Sequence, residues 1–174
     1  QRQMCIRDRA YTRTTYNTYN NSNEQAVVLG NNVTMQDTVT ATGQIVSDPA
    51  SKVALNGDVT STAGIGTVTT EQFDASNTQT GKTVIDSMDD SVSGGIILGE
   101  TTAGAVTLKT EGGNISLGDN SILDGTTVSA ESADLNKTVY SNDGGSWNTI
   151  ASTEKLGTIE GSVTLGENTT VKGN

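Results

Sequence analysis

Apolar residues in this chain fall at alternating positions, in short runs that end in glycine and a polar residue. The clearest run is 163–171, Val-Thr-Leu-Gly-Glu-Asn-Thr-Thr-Val. Imperfect copies stand at 27–35 and 115–123, a looser one at 53–59, and a half-copy at 96–100. Side chains alternate between the two faces of a strand, so each copy predicts a strand, a glycine-plus-polar corner and a second strand. Leu and Val are expected to face inward. Gly30, Gly57, Gly99, Gly118 and Gly166 are expected to turn the corners, and the corner Asn to stack on its copies above and below.

The same reading divides the rest of the chain. Residues 91–130 hold the strongest alternation, with Val106, Leu108, Ile115, Leu117, Ile122 and Val128 punctuated by glycines. Residues 59–62 and 67–70 read as Thr-rich strands, and the single proline, Pro49, marks a turn. Residues 71–90 have no clear period and are expected to form a loop or short helix over a flank of the sheet. A second irregular segment, 131–148, carries a predicted turn at Asp143-Gly144-Gly145 with Trp147 beside it. Residues 10–25 are rich in Tyr, Thr and Asn and almost free of aliphatic residues. Tyr11, Tyr16 and Tyr19 make this stretch a candidate assembly arm, either frayed or completing the sheet of another subunit. The expected division is 1–9, a non-native artefact; 10–25, an extended Tyr/Thr/Asn-rich arm; and 26–174, a β-repeat domain that continues past the end.

With Leu as the marker, Leu29, Leu55, Leu98, Leu117 and Leu165 are separated by 26, 43, 19 and 48 residues. The two long steps suggest a degenerate copy inside each irregular segment. Units of about 20 residues suit a structure in which each unit buries its apolar face only by stacking on the next. The expected fold is therefore all-β, a parallel β-solenoid with irregular insertions. Seven coils at about 4.8 Å each would span roughly 35 Å. The uneven spacing and the Tyr-rich arm keep an alternative, an antiparallel β-sandwich joined by donor-strand exchange.

Composition sharpens this picture. Hydrophobic residues are 32% and aromatics 3% of the 174 residues, which favours a narrow layered core over a wide sandwich. Twenty glycines against one proline suit many tight corners. There is no His, and a single Cys excludes an internal disulfide or cysteine metal cluster. A net charge of −10 opposes binding to nucleic acid and to anionic lipid, and no apolar run approaches the length of a membrane span.

Chemistry has few candidates. Residues 112–120, Gly-Gly-Asn-Ile-Ser-Leu-Gly-Asp-Asn, resemble calcium-binding glycine-and-aspartate nonapeptides, but Ile115 and Leu117 stand where acidic ligands would help. Asp119 and Asp124, or the cluster Asp86, Asp89 and Asp90, would have to supply the oxygens; solvated turn residues explain them more simply. Calcium is thus a weak candidate, and no cofactor is expected. Adjacent Asp89 and Asp90 would point to opposite faces of a strand, which is unsuitable for an acid and nucleophile pair. No catalytic residue is assigned, and an enzyme is not expected; a polysaccharide-degrading β-helix is the minor alternative.

Residues 1–9, Gln-Arg-Gln-Met-Cys-Ile-Arg-Asp-Arg, resemble a peptide that recurs at the ends of translated metagenomic assemblies, where adapter bases are read as coding sequence. Removing their three Arg and one Asp from 10 basic and 20 acidic residues leaves seven and nineteen, a net charge of −12. The Val/Ile-x-Leu-Gly-x-Asn pattern over 26–174 resembles the bacterial β-helix repeats of autotransporter passengers and filamentous-haemagglutinin-like surface proteins, and more loosely the bactofilins. That resemblance implies an extracellular or cell-surface, filament-forming role. The expected function is a structural subunit of an extracellular bacterial fibre or surface adhesin, a homopolymer assembled through β-edge pairing. The alternative is a glycan- or host-surface-binding adhesin module that does not polymerise, with 71–90 and 131–148 as contact loops.

Overall fold

The computed structural model describes residues 9–18 and 25–173. Among them the chain is all-β, without helix. β1 (Tyr11–Asn17) comes first. A first triplet follows, β2 (Gln25–Leu29), β3 (Val33–Met35) and β4 (Val39–Thr42), then a second, β5 (Gln44–Ser47), β6 (Lys52–Leu55) and β7 (Val59–Thr62). Two long strands intervene, β8 (Gly64–Phe73) and β9 (Gln79–Val92). The third triplet is β10 (Gly94–Ile97), β11 (Glu100–Ala103) and β12 (Thr107–Glu111); the fourth is β13 (Gly113–Leu117), β14 (Ile122–Asp124) and β15 (Thr127–Glu131). A second long pair, β16 (Ala133–Asp143) and β17 (Ser146–Ile159), precedes β18 (Val163–Leu165) and β19 (Thr170–Lys172), which repeat the first two strands of a triplet.

These strands divide between two compact units, Gln1–Tyr19 with Ile65–Ser91 and Leu135–Gly157, and Asn20–Gly64 with Val92–Asp134 and Thr158–Asn174. The second unit holds three parallel sheets. The first strands of the triplets form one sheet in the order β18-β13-β10-β5-β2, the second strands another, β19-β14-β11-β6-β3, and the third strands a third, β15-β12-β7-β4. Register places like residues in columns. Val27, Ile45, Ile96, Ile115 and Val163 are successive partners in the first sheet. Met35, Leu55, Ala103, Leu123 and Val171 follow one another in the second. Val39, Val59, Leu108 and Val128 do so in the third.

The period-two alternation turns each column inward, and Ile45, Val59, Ile96, Leu108 and Ile115 are fully buried. Each such side chain contributes about 1.5–3 kcal/mol relative to an exposed one. Among the described residues no aromatic belongs to this core, so it is narrow, in keeping with the 3% aromatic content. Buried hydroxyls complete it at the corners. Ser61 Oγ donates to the Gly43 carbonyl (2.6 Å) and accepts from Gly95 N–H (2.8 Å), while Thr110 Oγ1 donates to the Gly113 carbonyl (2.7 Å). No buried side-chain donor or acceptor lacks a partner among the described residues.

The other unit holds one five-stranded sheet in the order β1-β8-β9-β16-β17, with β1–β8 and β9–β16 antiparallel. Four sequence expectations change here. Residues 71–90 are neither loop nor helix: they are the end of β8, a turn and most of β9. Asp74 organises that turn, its carboxylate accepting from Ser76 N–H (2.9 Å) and Thr78 N–H (3.0 Å). The two long repeat steps hold no degenerate copies; each contains a pair of long strands instead. Four triplets and two strands of a fifth are described, in place of seven coils. The repeat strands pair in parallel, which sets aside the antiparallel sandwich for them. The physical reason is burial: among the described residues of the antiparallel unit, Leu135 alone of the large apolar residues is buried, so its strands carry little apolar alternation to read.

Candidate functional site

The features that bear on assembly are the corners between strands and the edges of the parallel sheets. The corner glycines do not serve as tight-turn residues with positive φ. Gly30, Gly57, Gly99, Gly118 and Gly166 are all absent from the described residues with left-handed φ. Gly57, Gly99, Gly118 and Gly166 are small because the preceding triplet lies against them, whereas a methyl on Gly30 would meet nothing within 4 Å among the described residues. A methyl at Gly118 would sit 2.6 Å from the carbonyl carbon of Gly99, and one at Gly166 would meet the backbone of Gly118 and Asp119. At Gly99 it would meet the Asp48, Pro49 and Ser51 carbonyls. Gly57 obeys the same rule against Asp37, but at a different corner, between second and third strands. Leu55 accordingly pairs with Met35 and Ala103, and the residue beside Leu29 in the second triplet is Ser47. The copy at 53–59 is therefore out of phase with the others.

The left-handed corner residues are the asparagines, Asn32 (φ 55°), Asn120 (φ 61°) and Asn168 (φ 58°). Asn tolerates this conformation better than other non-glycine residues. In the Leu-Gly-x-Asn string, glycine thus permits close approach and asparagine supplies the turn. The expectation that the corner glycine makes the turn is corrected: the left-handed residue is the asparagine two positions on. Side chains one triplet apart also form rungs: Asn56 donates to Gln36 (3.2 Å), Ser51 to Asn31 (2.8 Å), and Asp119 accepts from Glu167 N–H (2.7 Å).

β18 and β19 are the outer strands of their sheets on one side, β2 and β3 on the other. Val163, Leu165, Val171 and Val28 are exposed there, Val28 to 68%. Ile115 N–H donates to the Ser162 carbonyl (2.8 Å) and Gly166 N–H to the Leu117 carbonyl (2.9 Å). Parallel strands bond through alternate residues, so the backbone groups of Val163 and Leu165 face away from β13. Thr170 N–H donates to Ser121 (2.8 Å), which turns the Val171 amide outward likewise. These rows of outward amides and carbonyls are templates for a further strand.

β1 lies along β8 of its own chain, Tyr11 opposite Phe73 and Tyr16 opposite Val68. Tyr11 stacks on Phe73 (centroids 4.8 Å apart) and bonds Asn77, and Arg13 pairs with Glu71 (2.9 Å). Tyr19 lies outside the described residues.

Acidic residues are dispersed. Asp86, Asp89 and Asp90 belong to the antiparallel unit, Asp119 and Asp124 to the parallel one. Asp86 Oδ2 accepts from Asn136 N–H (2.9 Å), and no group of three or more potential metal-ligating side chains occurs among the described residues. Among the described residues, a charge cluster with a raised lysine pKa lies on the third sheet. Glu111 and Glu131 are register partners, and Lys109 reaches both, at 3.0 and 3.7 Å. The hydrogen bond and charge of Glu111, then the charge of Glu131, raise the Lys109 pKa above its ordinary 10.5.

No helix is long and apolar enough to cross a membrane among the described residues. No family model, curated protein or solved structure matches the chain.

Proposed function

We propose that the parallel unit is a β-solenoid, and that the protein is a structural subunit of an extracellular bacterial fibre or surface adhesin that polymerises with itself by β-edge pairing. The observation that carries this reading is the pair of outward backbone rows, at Val163, Leu165 and Val171 on one side of sheets whose other side ends in β2 and β3. Successive triplets entering the same three sheets in the same order are the repeat expected of stacked coils. Location outside the cell rests on the resemblance of the Val/Ile-x-Leu-Gly-x-Asn string to surface-protein repeats.

Proline offers a clean test. At Val163 or Val171 it removes an outward amide and leaves the bonds to β13 and β14 in place. Purified protein should form filaments in negative-stain micrographs, and Val163→Pro with Val171→Pro should give folded monomers. Filaments from the double variant at parental density would refute pairing through this edge.

A further inference from the structure

The aromatic residues are placed where packing does not call for them. Five of the six, Tyr11, Tyr16, Phe73, Tyr140 and Trp147, belong to the antiparallel unit, and segments 25–64, 92–134 and 158–173 of the parallel unit contain none. The unit with a core to fill therefore has no rings, and the rings stand on a sheet that buries little. Tyr11 is 43% exposed, and Phe73, Tyr140 and Trp147 are half-buried.

Four of these rings share one face. Residues opposite each other across an antiparallel pair lie on the same side, and neighbours along a strand on opposite sides. Tyr11 opposes Phe73, and Arg13 opposes Glu71, whereas Tyr16 opposes Val68 on the other face. A methyl on Gly81 in β9 would meet the Gln72 side chain, so Gly81 shares the face of Gln72 and Lys82 that of Phe73. Lys82 opposes Tyr140 and holds its ammonium 4.8 Å from that ring's centroid, which carries the face across to β16. β16 ends at Asp143 and β17 begins at Ser146, joined by the left-handed pair Gly144 (φ 61°) and Gly145 (φ 92°). A two-residue hairpin of this kind sets Asn142 opposite Trp147, on the face that Tyr140 occupies two residues earlier. The rings gather at one end of the sheet, around the turns at 74–78 and 144–145.

The chemistry of this face selects its ligand. Its two cations already have partners, Arg13 the Glu71 carboxylate (2.9 Å) and Lys82 the Tyr140 ring. Aromatic surface and neutral polar groups remain, Thr80, Thr138 and Asn142 standing among the rings on the same face. A sugar ring matches this mixture, because its C–H side lies against an aromatic ring while its hydroxyls reach amides and hydroxyls around it. Stacking on Phe73 (4.8 Å) accounts for Tyr11 as a clamp between β1 and β8, but among the described residues no ring stacks on Trp147.

We propose that this face of the antiparallel sheet binds neutral glycan chains, with Trp147 and Tyr140 as the stacking surface and Thr80, Thr138 and Asn142 meeting the hydroxyls. The site lies within one unit and is independent of edge pairing between copies. Trp147 is the only tryptophan in the chain, so its fluorescence reports the site directly. The full chain should show a blue shift and a saturable intensity change when titrated with at least one of the neutral hexasaccharides of β-linked glucose, xylose, mannose or galactose. Tyr140→Ala, which keeps the reporter, should weaken binding about tenfold. Thr80→Val, similar in shape and suited to a strand, should weaken it with the melting temperature unchanged. Trp147→Ala should abolish retardation in gels that contain the polysaccharide, and Tyr16→Ala, on the opposite face, should migrate as the parent does. No response to any of the four sugars overturns the proposal, as does parental affinity in folded Tyr140→Ala and Trp147→Ala. Binding of a polyuronate in place of the neutral sugars, lost in high salt, overturns the neutral ligand. Filaments without a sugar response would leave edge pairing standing and this site refuted; a sugar response without filaments would do the reverse.

Discussion

A corner glycine and a corner asparagine divide the work of one bend, and substitution separates them. At Gly118 the constraint is space: a methyl would lie 2.6 Å from the Gly99 carbonyl carbon, with backbone on that side and no flexible side chain to yield. Gly118→Ala should lower unfolding stability by about 1–3 kcal/mol, the usual cost of overpacking, read as a shift of the urea midpoint. Lys109 poses an electrostatic question instead. It spans Glu111 and Glu131, which face each other in register. Its pKa is raised in the folded protein, so its contribution is complete below the ordinary 10.5 and is lost as pH climbs through the raised value. Lys109→Met should therefore melt slightly lower at pH 7, the difference shrinking in high salt and disappearing at strongly alkaline pH. A thermal-melt series across pH and salt checks both trends.

At the scale of elements, the two long antiparallel strand pairs are insertions between triplets. The parallel chain stays close to itself on either side of each. Gly94 packs on the backbone of Thr62 and Ala63, and Gly112 lies against both Ala133 and Ile159. Joining Gly64 to Val92 and Asp134 to Thr158 thus asks for little rearrangement. The variant lacking residues 65–91 and 135–157 should retain a cooperative melt and a strand-type circular dichroism spectrum, since the buried columns from Ile45 to Leu123 are untouched. A non-cooperative melt or loss of the spectrum would show that the triplets depend on the insertions. Why the sequence hid these strands is also an element-level matter. β9, Gln79–Val92, has a burial pattern that is intermediate or exposed at all but its last residue. With neither face excluded from water, selection for alternation is absent, and the segment reads as irregular. β13 has buried residues at 113, 115 and 117 and reads clearly.

For the molecule as a whole, charge sets the terms of association. The chain carries −10, so copies repel at low ionic strength, whereas the pairing edge itself is made of backbone groups and apolar side chains. Salt shortens the screening length from about 30 Å at 0.01 M to about 8 Å at 0.15 M. Filament growth should accelerate on the order of tenfold between those conditions, followed by light scattering. A fall in rate with salt would mean that opposite charges, and not backbone pairing, hold the copies together.

Sequence alone determined the all-β character and the inward places of Leu108, Ile115 and Leu117, because alternation at period two is a local property of a strand with one buried face; Val163, Leu165 and Val171 of the clearest copy were expected inward and are exposed at the end of their sheets. It located the Gly-x-Asn corners but not their logic. Only the tertiary structure decided that glycine answers to a neighbouring triplet and asparagine to the turn, since close approach is a contact between residues far apart in the chain. The phase of the copy at 53–59, the course of 71–90, and the place of β1 beside β8 were decided in the same way. Each depends on which strand lies next to which, and a one-residue alternation does not encode its neighbour.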